Sequence, residues 1–171
     1  MPQRQHAFSD CPIGHAMRMS TDSTKQPDGP MDDVNELGEL LLAHAGSGNT
    51  KTVRDLIARG ANVNYPEEET GDRPLHRAAM EGHVETAQAL IDLGADVNAA
   101  NSMGQRPLHW AADAGNMEAI RLLIGNGAQV TAVDCDGDTA ARWAAREGRT
   151  EAEASLKKLE ELKNRDPQRF R

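Results

Sequence analysis

The chain has 171 residues, a formal net charge of −8 and only 3% aromatic residues. This length fits one compact domain or a short array of repeats and excludes a pair of enzyme-sized domains. The acidic balance argues against nucleic acid as a partner, because a basic face supplies most of the affinity for phosphate backbones. With so few aromatic residues, a core must be built from Ala, Leu, Ile and Val, a composition that suits closely packed helices.

Residues 1–33 are rich in Pro, Ser, Thr, Asp and Gln and show no sustained hydrophobic periodicity. Such a segment buries too little apolar area to offset the entropy of ordering, so we predict a disordered N-terminal tail. The alternative, a transit peptide, is disfavoured by Asp10, Asp22 and Asp28. No apolar run approaches the roughly 20 residues that span a bilayer. We therefore expect no membrane association and a cytoplasmic location, with the nucleus as the alternative.

A helix pair is predicted after the tail. From Val34 to Ala45 apolar residues recur at helical spacing, and a second helix follows from Thr50 to Arg59. Gly48 and Gly60 lie 12 residues apart, and the same spacing separates Gly82 from Gly94 and Gly115 from Gly127. This common spacing predicts a first repeat over about 34–66.

The central part of the chain repeats itself at a fixed distance. Residues 71–95 and 104–128 align with an offset of 33, and both open with G-x-R-P-L-H-x-A-A and close with Gly-Ala. A fixed period of this length is typical of a stacked solenoid. Pro74 and Pro107 each fit the first turn of a helix, where the missing N–H costs nothing. Repeats are therefore predicted over about 67–100 and 101–133.

A fourth copy, over about 134–163, begins in register and then departs from the pattern. Gly137 and Gly148 keep the 33-residue offset, but Lys157 stands where the two central repeats have Ile91 and Ile124. A terminal repeat needs a polar outer face because no neighbour covers it. We predict an end repeat here, followed by a disordered basic tail over 164–171.

The motif G-x-R-P-L-H-x-A-A-x-x-G, with Gly-Ala-Asn-Val-Asn at 60–64 and Gly-Ala-Asp-Val-Asn at 94–98, resembles the ankyrin-repeat family. The resemblance implies an all-α solenoid of stacked helix-turn-helix pairs with short β-hairpin fingers. It also implies a concave surface, formed by the fingers and first helices, that binds a partner protein. The expected protein is thus a four-repeat interaction module with no enzymatic activity, the outer repeats acting as caps.

One departure from the family pattern concerns the start of the first helix. The family usually has Thr-Pro-Leu-His, whereas Arg73 and Arg106 replace the threonine here. In the fourth repeat Thr139 is present, but Arg142 occupies the histidine position. Loss of a side-chain cap costs on the order of 1 kcal/mol. The sequence therefore predicts that Arg106→Thr raises the melting temperature.

Two features resemble metal sites but are better explained otherwise. His76 and His109 are potential ligands or bases, yet within this motif we expect packed structural histidines. The run from Asp134 to Asp138 resembles a calcium loop but lacks the bidentate glutamate of such loops. We predict no metal, no cofactor and no catalytic residue. The residues assigned structural roles are Pro74, His76, Gly82, Gly94, Pro107, His109, Gly115 and Gly127.

Trp110 and Trp143 lie 33 residues apart at one repeat position, which Arg77 occupies in the second repeat. Stacking would place the three in a row, with a cation–π contact between Arg77 and Trp110 and an aromatic pair. In one interpretation the tryptophans fill the seam between repeats. In the other they line the bottom of the concave groove, since Trp and Arg are favoured anchors at interfaces. The sequence leaves both alternatives open.

The connection before Gly71 is one residue longer than the next one and carries the acidic run Tyr-Pro-Glu-Glu-Glu-Thr at 65–70. A solvated face is one interpretation. The other is that the groove of a monomeric protein attracts a basic or mixed-charge segment of another protein. A regulator or inhibitor subunit that blocks a partner enzyme, and a self-associating repeat protein, are the alternatives. The predicted contact residues are Glu68, Asp72, Arg73, Arg77, Met80, Glu81, Ser102, Met103, Gln105, Arg106, Trp110, Asp113, Asp136, Asp138, Trp143 and Arg146.

Overall fold

The computed structural model describes residues 32–165. This part of the chain forms eight α-helices: α1 (Asp32–Gly46), α2 (Thr50–Ala58), α3 (Pro74–Glu81), α4 (Val84–Asp92), α5 (Pro107–Ala114), α6 (Met117–Gly125), α7 (Ala140–Arg146) and α8 (Thr150–Arg165). The first helix begins two residues before the predicted start of the repeats, and the last ends two residues beyond the predicted end. Residues 1–31 and 166–171, where the disordered tails are predicted, lie outside the described residues.

The helices form two layers. Each of α1, α3, α5 and α7, which we call the inner helices, contacts the next inner helix, and α2, α4, α6 and α8, the outer helices, contact one another in the same order. Each repeat supplies one inner and one outer helix. The stacked solenoid predicted from the 33-residue period is confirmed, and so is the all-α fold that the family resemblance implies.

The core lies between the two layers and is continuous through all four repeats. Small side chains such as Ala78, Ala111 and Ala144 are fully buried on the inner helices and let neighbouring helices approach closely. Larger side chains fill the space towards the outer helices: Leu41, Leu75, Leu90, Ile120, Leu123 and Leu156. Both layers are therefore held by apolar packing that uses most of the Ala, Leu and Ile of the repeats.

Glycines end the two central inner helices. Gly82 and Gly115 have φ angles of 72° and 73°, the left-handed conformation that closes a helix C-terminus and that a side chain would strain. Gly94 and Gly127, which follow the outer helices α4 and α6, also have positive φ. The 12-residue glycine spacing in the sequence thus marks where the helices of each repeat stop.

The connections between repeats are built from tight turns, and we call them finger 1 (59–73), finger 2 (93–106) and finger 3 (126–139). A single isolated β-bridge, Val133 to Thr139, occurs in the described residues, so the fingers contain less β structure than the predicted hairpins. Backbone bonds join successive fingers, from Ser102 N–H to Thr70 O at 3.0 Å and from Cys135 N–H to Met103 O at 3.0 Å. The fingers therefore form a connected row along one edge of the solenoid.

Side chains also bond across the repeats at the ends of the inner helices. The residue after each closing glycine reaches back to a terminal carbonyl of the preceding inner helix. Asn116 Nδ2 donates to Met80 O at 2.7 Å, and Arg149 Nε donates to Asp113 O at 3.0 Å. These carbonyls have no partner within their own helix, so the bonds both cap the helix and fix the repeat spacing.

No helix in the described part of the chain has the length and apolar character needed to cross a membrane.

Candidate functional site

The inner helices and the fingers together form one surface, which we call the inner face, and the predicted contact residues are distributed over it. Glu68, Glu81, Asp136 and Arg146 are exposed. Most of the others are half-buried: Arg73, Arg77, Met80, Ser102, Met103, Gln105, Arg106, Trp110, Asp113 and Asp138. Asp72 and Trp143 are buried, at 5% and 6% exposure, and these two are therefore corrections to the predicted contact set.

Asp72 is buried because it joins fingers 1 and 2. Its Oδ1 accepts a hydrogen bond of 2.8 Å from Nδ2 of Asn101, which is itself 3% exposed. The Oδ1 of Asn101 in turn accepts the backbone N–H groups of Met103 and Gln105. A buried polar group needs such partners, since an unpaired one is costly. Asp72 thus contributes to the structure of the two fingers.

Trp143 is buried because its indole bonds to finger 3. Its Nε1 donates to Oδ2 of Asp134 at 2.8 Å, while Oδ1 of Asp134 accepts the backbone N–H groups of Asp136 and Asp138. Both carboxylate oxygens are therefore used within the turn that resembled a calcium loop. For Trp143, the seam interpretation is the one that the geometry supports.

Trp110 differs from Trp143 in that it is half-buried and its donor has no partner. The two rings meet edge to face, with centroids 5.7 Å apart and planes at 71°. The Nε1 atom of Trp110 is shielded from solvent and makes no hydrogen bond within the described residues. The predicted aromatic pair is therefore present, and the Trp110 ring is partly accessible on the inner face.

The predicted cation–π contact between Arg77 and Trp110 is replaced by two other contacts. Arg146 lies over the Trp143 ring, 5.1 Å from its centroid. Arg77 instead donates from Nη2 to both carboxylate oxygens of Glu67, at 2.6 and 2.7 Å. The hydroxyl of Thr70 and the Arg77 guanidinium hold the pKa of Glu67 below its usual value. Finger 1 is thereby tied to α3.

Arg77 and the acidic run of finger 1 lie together in a cavity of about 420 Å³ between repeats 1 and 2. We call it the acidic cleft. The residues that line it come from α1, finger 1 and α3: Glu39, Leu42, Ala43, Gly46, Tyr65, Glu67, Glu68, Glu69, Arg77 and Glu81. Five glutamates against one arginine give the lining a formal charge of −4.

Sequence reasoning missed the contribution of α1 and of Tyr65 to this cleft. Tyr65 packs on Gly38 in α1, so closely that a Cβ added at Gly38 would lie 2.3 Å from the aromatic ring. Glycine in a helix interior costs up to about 1 kcal/mol relative to alanine. A glycine inside a helical pattern and the only tyrosine of the chain were therefore the two features of the sequence that could have indicated this contact.

The two histidines of the repeated motif lie between repeats. The Nδ1 atom of His76 accepts the backbone N–H of Arg73 at 3.0 Å, so its Nε2 carries the proton and donates to Gln105 O at 3.1 Å. His109 makes the same pair of bonds with Arg106 N–H and Asp138 O. Burial lowers the pKa of both imidazoles, because it disfavours the charged form. Both rings are therefore neutral bridges, and their nitrogens are not free for catalysis.

The charged groups around Trp143 form a mixed surface. Asp138 pairs with Arg142 at 2.9 Å and with Arg146 at 3.6 Å. Partial burial, with the nearby Glu147 carboxylate, raises the pKa of Asp113. Within residues 32–165 no group of three or more His, Cys, Asp or Glu side chains is arranged to hold a metal ion. What the inner face offers is charge, aromatic surface and a cavity.

Comparison with known proteins gives matches over the repeats. A family model described as "Ankyrin repeats (many copies)" matches residues 40–91, 75–116 and 108–152, which together cover more than half of the chain.

Individual relatives match over shorter stretches. "Protein phosphatase 1 regulatory subunit 27" of Mus musculus is 44% identical over 72 residues, which are 42% of this chain and 46% of the relative. "Ankyrin repeat domain-containing protein 49" of Homo sapiens is 43% identical over 60 residues, 35% of this chain and 25% of the relative. "Potassium channel AKT1" of Arabidopsis thaliana is 33% identical over 66 residues, 39% of this chain and 8% of the relative. The chain thus covers less than half of each of these relatives.

Proposed function

The chain belongs to the ankyrin-repeat family, and from that premise we propose that it is a non-catalytic module that binds a partner protein through its inner face and finger tips. The repeats of this family generally mediate contacts between proteins. The motif histidines, the buried aspartates and the repeated glycines are all used by turns and seams, which favours structural over catalytic roles for them.

The observation that carries the proposal is the way the inner face is built before any partner arrives. Inter-finger backbone bonds, the Asn101–Asp72 bond and the histidine bridges fix the positions of the half-buried side chains. A surface that is already ordered loses little conformational entropy on association, and so more of its contact energy appears as affinity. Rigid presentation of Met103, Trp110 and Arg146 is the proposed mechanism.

The partner that we propose carries a basic or mixed-charge contact segment, and the protein itself is a monomer. Support comes from the acidic cleft and from the mixed charges around Trp143. Opposite charges at an interface raise association rates and select partners, and such binding weakens with salt.

A regulator or inhibitor of an enzyme is the second candidate. It is favoured by the match to a protein named as a phosphatase regulatory subunit, although that match spans only 42% of this chain. The same inner face would then cover a partner's active site. The two candidates differ in one measurement, because only a regulator changes the activity of the protein that it binds.

Capture from cell extract followed by mass spectrometry tests the proposed function. The bait is the full chain, compared with a Met103→Ala/Trp110→Ala variant of the inner face. A Glu118→Gln/Arg121→Ala variant on the outer helix α6, where both side chains are exposed, is the matched control. All three are first checked for equal helix content, because Trp110 is partly buried.

We expect a protein that the full chain and the α6 control retain and that the inner-face variant loses. Equal retention by all three baits would place the contact elsewhere and contradict the inner-face assignment. Capture of nothing above the bead control would contradict the interaction function itself. A captured enzyme whose activity changes on adding the chain identifies the regulator, whereas a mass that grows with concentration in light scattering identifies self-association.

A further inference from the structure

The acidic cleft contains more carboxylates than the protein neutralises. Glu67 is paired with Arg77 and bonded to Thr70, whereas Glu39, Glu68, Glu69 and Glu81 make no ion pair with any residue in 32–165. These four are exposed and come from three separate elements, α1, finger 1 and α3. Like charges held around one cavity repel one another, so the cleft favours a cation.

The cleft also has an apolar wall. Leu42 is 9% exposed and lies beside Ala43 on α1, while the half-buried ring of Tyr65 forms the finger side. Gly46, without a side chain, keeps the C-terminal end of α1 open. A cavity of about 420 Å³ lies in the size range of small-molecule sites and has room for one side chain of a partner. The lining therefore suits a ligand with a charged head and an apolar stem.

Three contacts keep the cleft in shape without a ligand. The Glu67–Arg77 pair ties finger 1 to α3, Tyr65 packs on Gly38 of α1, and Ser102 N–H bonds to Thr70 O of the same finger. Each contact uses a different neighbouring element. These contacts hold the backbone segments that carry the glutamates, so a cation entering the cleft would have to order only the glutamate side chains themselves.

We propose that the acidic cleft anchors an arginine side chain of a partner peptide. This inference rests on the proposed function and names the chemistry of one anchor. The planar guanidinium presents five N–H donors, enough to bond to several carboxylates at once, and it stacks on an aromatic face such as Tyr65. The methylene stem would lie along Leu42 and Ala43. Lysine shares the charge but lacks the fork.

A displayed library of random linear peptides, selected on the full chain, supplies the probe. The strongest selected peptide is then synthesised with its arginine intact, replaced by citrulline, or replaced by lysine. Citrulline has nearly the same shape as arginine but no charge. Fluorescence anisotropy of the labelled peptide gives Kd for the full chain and for a Glu68→Gln/Glu69→Gln/Glu81→Gln variant. The matched control, Asp55→Asn/Glu85→Gln/Glu118→Gln, removes the same charge from exposed positions on the outer helices.

We expect selected peptides to be enriched in arginine. Citrulline should weaken binding to the full chain about ten- to a hundredfold, the factor that charge-assisted hydrogen bonds supply. Lysine should fall between the two. In the triple cleft variant the arginine peptide should lose a similar factor and citrulline should have no further effect, while the control variant should bind as the full chain does.

Several results would overturn the proposal. Peptides without cationic enrichment, or equal weakening by the cleft and control variants, would show that the cleft is not an anchor. Equal affinity for lysine and arginine peptides would reject the arginine assignment. A dimer in light scattering that only the cleft variant dissociates would identify a second copy as the occupant. A further outcome is that the library gives no binder, or only binders whose affinity falls with Trp110→Ala and not with the cleft variant. If extract capture still finds a partner in that case, the cleft assignment is wrong and the interaction function stands.

Discussion

The junction between repeats 1 and 2 and the junction between repeats 3 and 4 use the same repeat positions differently. At the first, Arg77 on α3 bonds to Glu67 at the corner of finger 1, with both side chains about one-third exposed, beside a cavity. At the last, Trp143 on α7 bonds to Asp134 at the corner of finger 3, and both are buried. One repeat position thus supplies a solvated ion pair in one place and a packed aromatic bond in the other.

The two junctions differ in how much their polar contacts contribute to folding. Exposed ion pairs contribute little to folding, typically below about 1 kcal/mol. A buried bond to a carboxylate contributes more, and losing one partner leaves the other desolvated. We therefore expect changes to the Trp143–Asp134 contact to lower stability, and changes to the charged side chains of the acidic cleft to alter stability little.

The largest effect is expected for Trp143→Phe. Phenylalanine keeps an aromatic ring against Trp110 but removes the Nε1 donor and leaves Oδ2 of the buried Asp134 without its bond. The free energy of unfolding should fall by about 1–3 kcal/mol from the lost bond, with a further loss from the smaller ring. Urea denaturation followed by circular dichroism measures the change.

Trp110→Phe is the matched control for that prediction. The substitution removes the same indole atoms as Trp143→Phe does, but Nε1 of Trp110 makes no hydrogen bond within the described residues. It should therefore cost less than Trp143→Phe by at least the value of the hydrogen bond, about 1 kcal/mol. Equal losses for the two variants would mean that packing alone holds the junction, and that the Asp134 bond does not distinguish it from the cleft.

Gly38→Ala tests how the acidic cleft is built. The added methyl group would meet the Tyr65 ring at 2.3 to 2.6 Å, so the ring must move. Gly46→Ala, in the same helix, would meet the Cβ of Arg77 at 3.7 Å, an ordinary contact. Overpacking costs about 1–3 kcal/mol, and we expect Gly38→Ala to be less stable than Gly46→Ala by about that amount in urea denaturation.

Tyrosine exposure gives a second measurement on the same pair of variants. Chemical modification or ultraviolet difference absorbance should show that the single tyrosine is more accessible in Gly38→Ala than in Gly46→Ala. If the two variants have the same stability and the same tyrosine exposure, Tyr65 does not depend on Gly38, and α1 contributes less to the cleft than the geometry indicates.

Features set by the repeat period could be predicted from the sequence, because each repeat meets the same environment. Gly82 and Gly115 end their helices, and Pro74 and Pro107 begin theirs, at the same positions of the two central repeats. What the period could not predict are contacts between residues that differ from repeat to repeat. Asp72 is an example, because the sequence predicts a contact residue there while its hydrogen-bond partner, Asn101, belongs to the next finger.

The acidic cleft could be predicted only in part, for the same reason. The sequence predicts Arg77 and the glutamates of finger 1 as surface features, but it does not predict that Arg77 pairs with Glu67. From the sequence alone, a contact of Arg77 with Trp110 and an ion pair with a finger carboxylate are equally plausible. Gly38 and Tyr65 lie 27 residues apart and meet only when finger 1 folds over α1. A longer finger, a helix-interior glycine and a lone tyrosine are each weak signals in the sequence. They indicate a contact between finger 1 and α1 only when they are considered together.

Acid should weaken the two later junctions through His76 and His109. His76 and His109 bridge repeats 2–3 and 3–4, whereas Leu42 occupies the corresponding position in repeat 1. Because burial lowers the pKa of both histidines in the folded state, the unfolded chain binds more protons below about pH 6.5, its usual histidine pKa. Stability is then complete above that pH and is lost as the pH falls towards the folded pKa values.

Urea denaturation at several pH values between about 7.5 and 5.5 checks this window, which lies above the ordinary pKa values of carboxylates. In His109→Gln the decline between these values should be smaller, because one of the two titrating bridges is removed. A free energy of unfolding that stays constant over this range would contradict the assignment of both histidines as neutral bridges. A decline that His109→Gln leaves unchanged would assign the effect to another group.

The smallest effect is expected for Arg73→Thr and Arg106→Thr, which restore a threonine at the start of α3 and α5. A guanidinium has no acceptor and cannot cap a helix, whereas a threonine hydroxyl can. The Nε atoms of both arginines are shielded and have no partner in the described residues, but Nη1 of Arg106 donates to Gln129 at 2.8 Å. Arg73→Thr therefore removes nothing comparable and should gain up to about 1 kcal/mol. Arg106→Thr should gain less, since it loses one exposed bond.

Both variants should raise Tm in calorimetry, by about 2–4 °C at most. Unchanged or lower Tm values would mean that the aliphatic stems of the arginines stabilise the inner face more than a cap does.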